Sequence, residues 1–273
     1  MTFNDLETIK TLMENLMRRG KRYEGTFQIR SINQNLPRLI FDTDFVITHI
    51  LKDRSHHSVN LSEANNVSMH IEIGNERIHF GNVDCELYPN FFSSNGKELA
   101  FPIYINKGET LKLEGGFVVP NTVYHFIGFI PVKEKSSQVK RTYYVYSVEF
   151  ENCQPSTTYT QTFAIIPKHN FMCLRLVSIL RIRNTDDNLY VCSEDFESFG
   201  SLKITIGDFS LQSDAPVNAN CFTTLPSNKR DLLVPVKMPA RSTVLVEYMT
   251  PAWSDAYRRD FKLYFEGVAI YGS

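Results

Sequence analysis

The chain has 273 residues, 42% of them hydrophobic and 12% aromatic, which is enough to bury a substantial core and too apolar for a disordered protein. Lys and Arg total 29 against 30 Asp and Glu, a formal net charge of -1, which argues against a surface that coats nucleic acid along its whole extent. The apolar runs fall well short of the roughly 20 residues a spanning helix needs, and the opening MTFNDLETIK does not read as a secretory signal.

The first element predicted is an amphipathic helix within residues 1–24. Asn4 can cap it, with Glu7 at the capping-box position three residues on. Leu6, Ile9, Leu12, Met13, Leu16 and Met17 recur at three- and four-residue steps and line one face. Gly20 supplies a stop, and Arg18, Arg19, Lys21 and Arg22 cluster where the helix dipole favours cations. An apolar stripe of this kind packs on its own domain or on a partner. The basic run suits packaged nucleic acid, anionic lipid or plain solvent.

From Gly25 on, short alternating, β-branched and aromatic runs alternate with Gly, Asn, Pro and Ser, the pattern of strands and turns. Strands are expected at TFQIRSI, PRLIF, DFVITHIL, NVSMHIEIG, ERIHF, AFPIYI, ETLKLEGGF and TVYHFIGFIPV. Ile73-Gly74-Asn75-Glu76 and Asn106-Lys107-Gly108 read as tight turns. Two connections, 52–66 and 84–99, are too long for a hairpin meander. The polar stretch KEKSSQVKR leads to YYVYSVEF, so the expected boundaries are 25–134, a linker at 135–141, and 142–273.

The two halves repeat. Ile71-Glu72-Ile73-Gly74 matches Ile204-Thr205-Ile206-Gly207 at an offset of 204 − 71 = 133. FPIYI at 101–105 matches VPVKM at 234–238, and ETLKLE at 109–114 matches STVLVE at 242–247, both at that offset. FVITHIL at 45–51 resembles LVSILRI at 176–182, an offset of 131, and Gly128 faces Gly267 at 139. Eight antiparallel strands with long connections, twice over, point to an all-β chain of two tandem jelly-roll sandwiches behind a short N-terminal helix.

On those repeats, which run from about residue 26 to 271, the chain resembles the double jelly-roll major capsid proteins of icosahedral viruses, which include tailless bacteriophages and the adenovirus hexon lineage. The resemblance is architectural, with no signature peptide. It implies homotrimers whose six barrels form a pseudo-hexagonal capsomer, contacts with neighbouring capsomers, a virion location and synthesis in the host cytoplasm. It also implies an N-terminal segment on the inner side of the shell, facing minor capsid proteins, an internal membrane or the packaged genome. Long tower insertions are absent, which suits a small phage shell.

Motifs for chemistry are few. No GxSxG, HExxH, P-loop or GxGxxG appears, so neither an enzyme nor a cofactor is expected. His56 and His57 lie near Asp53, Ser55 and Glu63, but adjacent strand residues point to opposite faces and would not share a metal. His70 and Glu72, like Arg77 and His79, share a face that a polar outward strand side explains. Asp186-Asp187 and Glu194-Asp195 lack EF-hand spacing. Cys85, Cys153, Cys173, Cys192 and Cys221, odd in number and without CxxC, read as buried free thiols. Two other readings stay open. One is a receptor- or carbohydrate-binding sandwich using Phe91, Phe92, Tyr190 and Trp253. The other is a cupin-like metalloenzyme.

Overall fold

The computed structural model describes residues 25–33, 35–54, 69–81, 87, 97–115, 122–132, 143–183, 190–193, 199–212, 215–221, 223, 232, 234–254 and 257–271. These residues are all-β apart from isolated 3-10 turns. The strands of the first half are β1 (Gly25–Asn33), β2 (Arg38–Ile40), β3 (Phe45–Arg54), β4 (Met69–Ile73), β5 (Glu76–Arg77), β6 (His79–Phe80), β7 (Lys97–Ile105), β8 (Thr110–Gly115) and β9 (Thr122–Pro131). Those of the second half are β10 (Tyr143–Cys153), β11 (Thr158–Ala164), β12 (Asn170–Arg183), β13 (Tyr190–Ser193), β14 (Ser201–Ile206), β15 (Phe209–Ser210), β16 (Val217–Asn218), β17 (Val236–Met238), β18 (Thr243–Met249) and β19 (Arg258–Ile270).

The sheet orders carry the architecture. In the first half one sheet runs β1-β9-β3-β7 and the other β2-β8-β4-β5. In the second, β10-β19-β12 continues to β17, and the other sheet runs β11-β18-β14-β15. Early and late strands alternate in every sheet, as when one long antiparallel hairpin is rolled up on itself. That is the jelly-roll winding, and it occurs twice with matching order. β13 and β16 are additions in the second half, pairing with β12 and β14.

Alternation accounts for the strands that face one core. MHIEI of β4 and SLKITI of β14 bury every second residue, and so does TVLVEYM of β18. The hairpins after β4 and β14 turn on Gly74 and Gly207, both with positive φ, 62° and 57°. The repeats place Ile71 and Ile204, Phe101 and Val234, and Leu111 and Val244 in or beside corresponding strands.

One register differs from the sequence reading. β3 bulges between Ile47 and His49, and β12 bulges between Cys173 and Arg175. Opposite those bulges, Gly128 pairs with Ile47 and Gly267 with Cys173. A Cβ on either glycine would collide with backbone, the Val46 carbonyl for Gly128 and the Met172 carbonyl for Gly267. The bulges therefore align β3 with β12 at 173 − 47 = 126, not at 131. Apolar similarity alone slipped the register by five residues, because the long, largely apolar run NFMCLRLVSILRIR of β12 offers several registers of similar fit to FVITHIL.

The segment ERIHF also divides. Glu76–Arg77 pairs within the first half, whereas His79–Phe80 leaves it and joins β10 of the second.

Candidate assembly interface

β6 is where the two halves meet. It lies parallel to β10, with Val145 N–H donating to the Ile78 carbonyl at 3.0 Å and His79 and Phe80 opposite Val145 and Tyr146. Strand-to-edge addition of this kind supplies main-chain hydrogen bonds, and the flanking rings set the fit. Phe80 stacks on Tyr144 and Tyr146, with centroids 5.6 and 5.0 Å apart. His79 is fully buried, its Nδ1 3.4 Å from the Met69 carbonyl oxygen. Burial penalises the imidazolium and holds its pKa down at about 3, against a smaller opposing pull from the Met69 hydrogen bond.

A polar clasp closes one end of this junction. Glu76, on β5, accepts hydrogen bonds from the Tyr144 hydroxyl and from the Tyr271 hydroxyl, the latter at 3.3 Å. The His169 ring packs against both tyrosines, at 4.7 and 5.1 Å. Burial also lowers the His169 pKa.

The sheet β10-β19-β12 has two packed faces. One carries Tyr146, Phe150, Phe171, Leu176, Phe261 and Phe265 into the second core. The other carries Tyr143, Val145, Met172, Val177, Tyr264 and Val268 into the core of the first half. The edge strand β7 of the first half lies against β10 and β19. Charge is buried within this sheet as well. Arg175 Nη1 stands 3.6 Å from Glu266 Oε2, and Lys262 pairs with Glu149. Buried pairs of this kind offset a large desolvation cost only while both partners are present.

The residues singled out from sequence fall differently. Leu6, Ile9, Leu12, Met13, Leu16, Met17, Arg18, Arg19, Lys21 and Arg22 lie outside the described residues, as do His56, His57, Glu63, Phe91, Phe92, the two acidic pairs and the linker 135–141. His70 and Glu72 do share the half-exposed side of β4, where Glu72 pairs with Lys112 at 3.0 Å. Arg77 and His79 do not share an outward face. Arg77 is exposed, whereas His79 is buried in the junction, because the chain crosses to another sheet between them. Trp253 is half-buried under the Arg259 guanidinium, 4.1 Å from its ring centroid, and so is no open groove wall. Cys153 and Cys173 are buried, with the Cys153 thiol pushed up to about 12 by burial. Cys221 is exposed, contrary to the expectation of buried thiols; it ends the 3-10 turn Ala219–Cys221, in which Ala219 takes the core position. Among the described residues no group of three His, Cys, Asp or Glu is placed to hold a metal ion.

The junction is hard to see in the sequence because its strands look half-exposed. RRDFKLYFEGVAI alternates polar and apolar residues, yet all but its two ends are buried. The usable signal was aromatic density, since YYVYSVEF carries rings on both faces.

No protein-family model and no curated protein sequence matches the chain. Solved structures do match. PBCV-1 VP54, whose crystal structure was fitted into a reconstruction of the virophage Sputnik, is 12% identical over 91% of this chain and 98% of its own, with a TM-score of 0.36. The major capsid protein P2 of bacteriophage PM2 is 8% identical over 89% and 98%, with a TM-score of 0.36. VP2 of infectious bursal disease virus is 12% identical over 91% and 72%, with a TM-score of 0.22. At such identities and scores, the jelly-roll assignment rests on the strand order of this chain itself.

Proposed function

We propose that the chain is a viral structural protein, a capsid building block that assembles as pseudo-hexagonal homotrimers into an icosahedral shell. One observation carries this reading. A single chain repeats one jelly-roll connectivity and packs the edge of the first unit on the sheet face of the second. A rigid two-barrel tile with unlike flanks makes heterologous contacts, and three copies close a ring of six similar units.

In this reading the protein resides in the virion after synthesis in the host cytoplasm, and it has no catalytic role. The unit boundaries are 25–134 and 142–273. The helix and basic segment of 1–24 lie on the inner side, with Leu6, Ile9, Leu12, Met13, Leu16 and Met17 meeting a minor capsid protein or membrane. Arg18, Arg19, Lys21 and Arg22 meet phosphate groups there. Obligate interfaces of this class bury more than about 2,000 Å². Sedimentation of the purified full chain tests the reading. A trimer that progresses to larger closed particles is expected, and a monodisperse monomer at high concentration would sink it.

A further inference from the structure

The junction between the halves has unused copies of both its sides. The side that donates is set by the stretch after the β4–β5 hairpin. Ile78 N–H donates to the Ile71 carbonyl at 3.0 Å, and at the 133 offset Leu211 N–H donates to the Ile204 carbonyl at 2.8 Å. His79 sits 3.4 Å from the Met69 carbonyl, and at the same offset Gln212 Nε2 donates to the Leu202 carbonyl at 2.6 Å. Leu211 and Gln212 are thus held in the posture of Ile78 and His79. Ile78 and His79 enter the neighbouring sheet, whereas Leu211 and Gln212 remain half-exposed.

The receiving side is duplicated too. Gln28 pairs with Gly128 and Tyr144 with Gly267, and both glycines face a bulge, so β1 and β10 align there. Ile29 then corresponds to Val145, whose N–H receives the incoming strand. Val145 is fully buried, while Ile29 is 52% exposed on the outer strand of its sheet. Among the described residues, β1 has no strand on its far side.

Two more correspondences complete the pattern. Val132 takes the place of Tyr271 and Phe209 the place of Glu76, the two partners in the polar clasp. Val132 is 69% and Phe209 64% exposed, so a tyrosine–carboxylate contact is replaced on both sides by apolar groups. Val234 matches the buried Phe101 and is 63% exposed. Four of the large exposed hydrophobic residues therefore map onto the surfaces that meet between the halves.

We infer that the internal junction is repeated between copies of this chain. The stretch from Phe209 to Gln212, with Val234, of one copy docks on β1 and Val132 of the next. The Leu211 carbonyl accepts from the partner's Ile29 N–H, and Phe209 covers the partner's Val132. The inference rests on the self-assembly reading above and names the surface it uses. Unlike surfaces meet, so each copy gives one and receives one, and the chain of contacts closes as a ring.

Chemical cross-linking of the full chain tests this, with Cys85→Ser, Cys192→Ser and Cys221→Ser together as the background, since Cys153 and Cys173 are buried. Val132→Cys and Phe209→Cys together, bridged by a short bismaleimide, are expected to give covalent dimers and a closed covalent trimer. Either cysteine alone gives no cross-link, and mixing the two single variants restores dimers. Phe209→Asp and Ile29→Asp, both on exposed side chains, keep the wild-type circular dichroism and weaken association at least about 30-fold. A trimer that forms without the 132–209 bridge overturns this surface and leaves the capsomer reading standing. A chain that never associates overturns both. Bridging within a single chain, or like-with-like linkage in the single variants, also overturns the assignment.

Discussion

β9 and β19 hold the same place in the two halves, yet their surroundings differ. Along β9, buried and half-buried residues largely alternate, as in a sheet with one core. β19 buries eleven consecutive residues, because the first half covers its second face. The comparison shows that one winding can serve as a free flank or as a docking platform. What decides is the neighbour, here the edge formed by β6 and β7. The junction made once inside the chain is thus the template for the assembly contact proposed above.

The largest effect is expected where the halves agree. Gly128→Ala and Gly267→Ala each force a Cβ into a bulge carbonyl, so each is expected to cost about 3 kcal/mol or more in urea denaturation. Equal, large losses sharpen the equivalence of the two bulges. A neutral result at either glycine breaks it.

The next separates the covered face from an open one. Glu266→Ala leaves Arg175 buried without its carboxylate and is expected to cost about 3–5 kcal/mol. Glu72→Ala, at a half-exposed pair with Lys112, is expected to cost about 0–1 kcal/mol. Similar losses for both would mean that the β19 face is not dry.

A smaller effect follows from His79. Its pKa is about 3 in the folded chain and 6.5 for the ordinary group, so in that window the unfolded chain binds more protons. Stability from this residue is complete above pH 6.5 and falls as the pH drops towards about 3. His79→Gln copies Gln212, its counterpart in the second half, and removes the titration. Between pH 6.5 and about 5, wild type is expected to lose about 2 kcal/mol more than the variant. His70 and His169, also lowered chiefly by burial, cancel in that difference. Parallel pH profiles for the two chains would place His79 in contact with water.

Much of the fold was legible in the sequence for a physical reason. Strands facing one core must alternate, and MHIEI, TLKLEG, SLKITI and TVLVEYM do so at a shared spacing. Gly128 and Gly267 were also paired correctly from sequence, since close backbone approach leaves no other residue type. What failed was whatever depends on a second neighbour. Lys262 and Glu266 are charged yet buried, which nothing in the local sequence signals, and ERIHF read as one strand but crosses between sheets. The pair β3 and β12 slipped because the long apolar run of β12 fits FVITHIL in several registers, and only the paired glycines fix which one holds. The apolar positions of the candidate surface were visible individually. Their pairing required the three-dimensional register.

Electron microscopy of the purified full chain tests the central claim most directly. Two jelly rolls per chain and a repeated junction predict a ring of six similar lobes built from three chains. Isolated two-lobed particles at high concentration, or open filaments in which the junction repeats without closing, would contradict it.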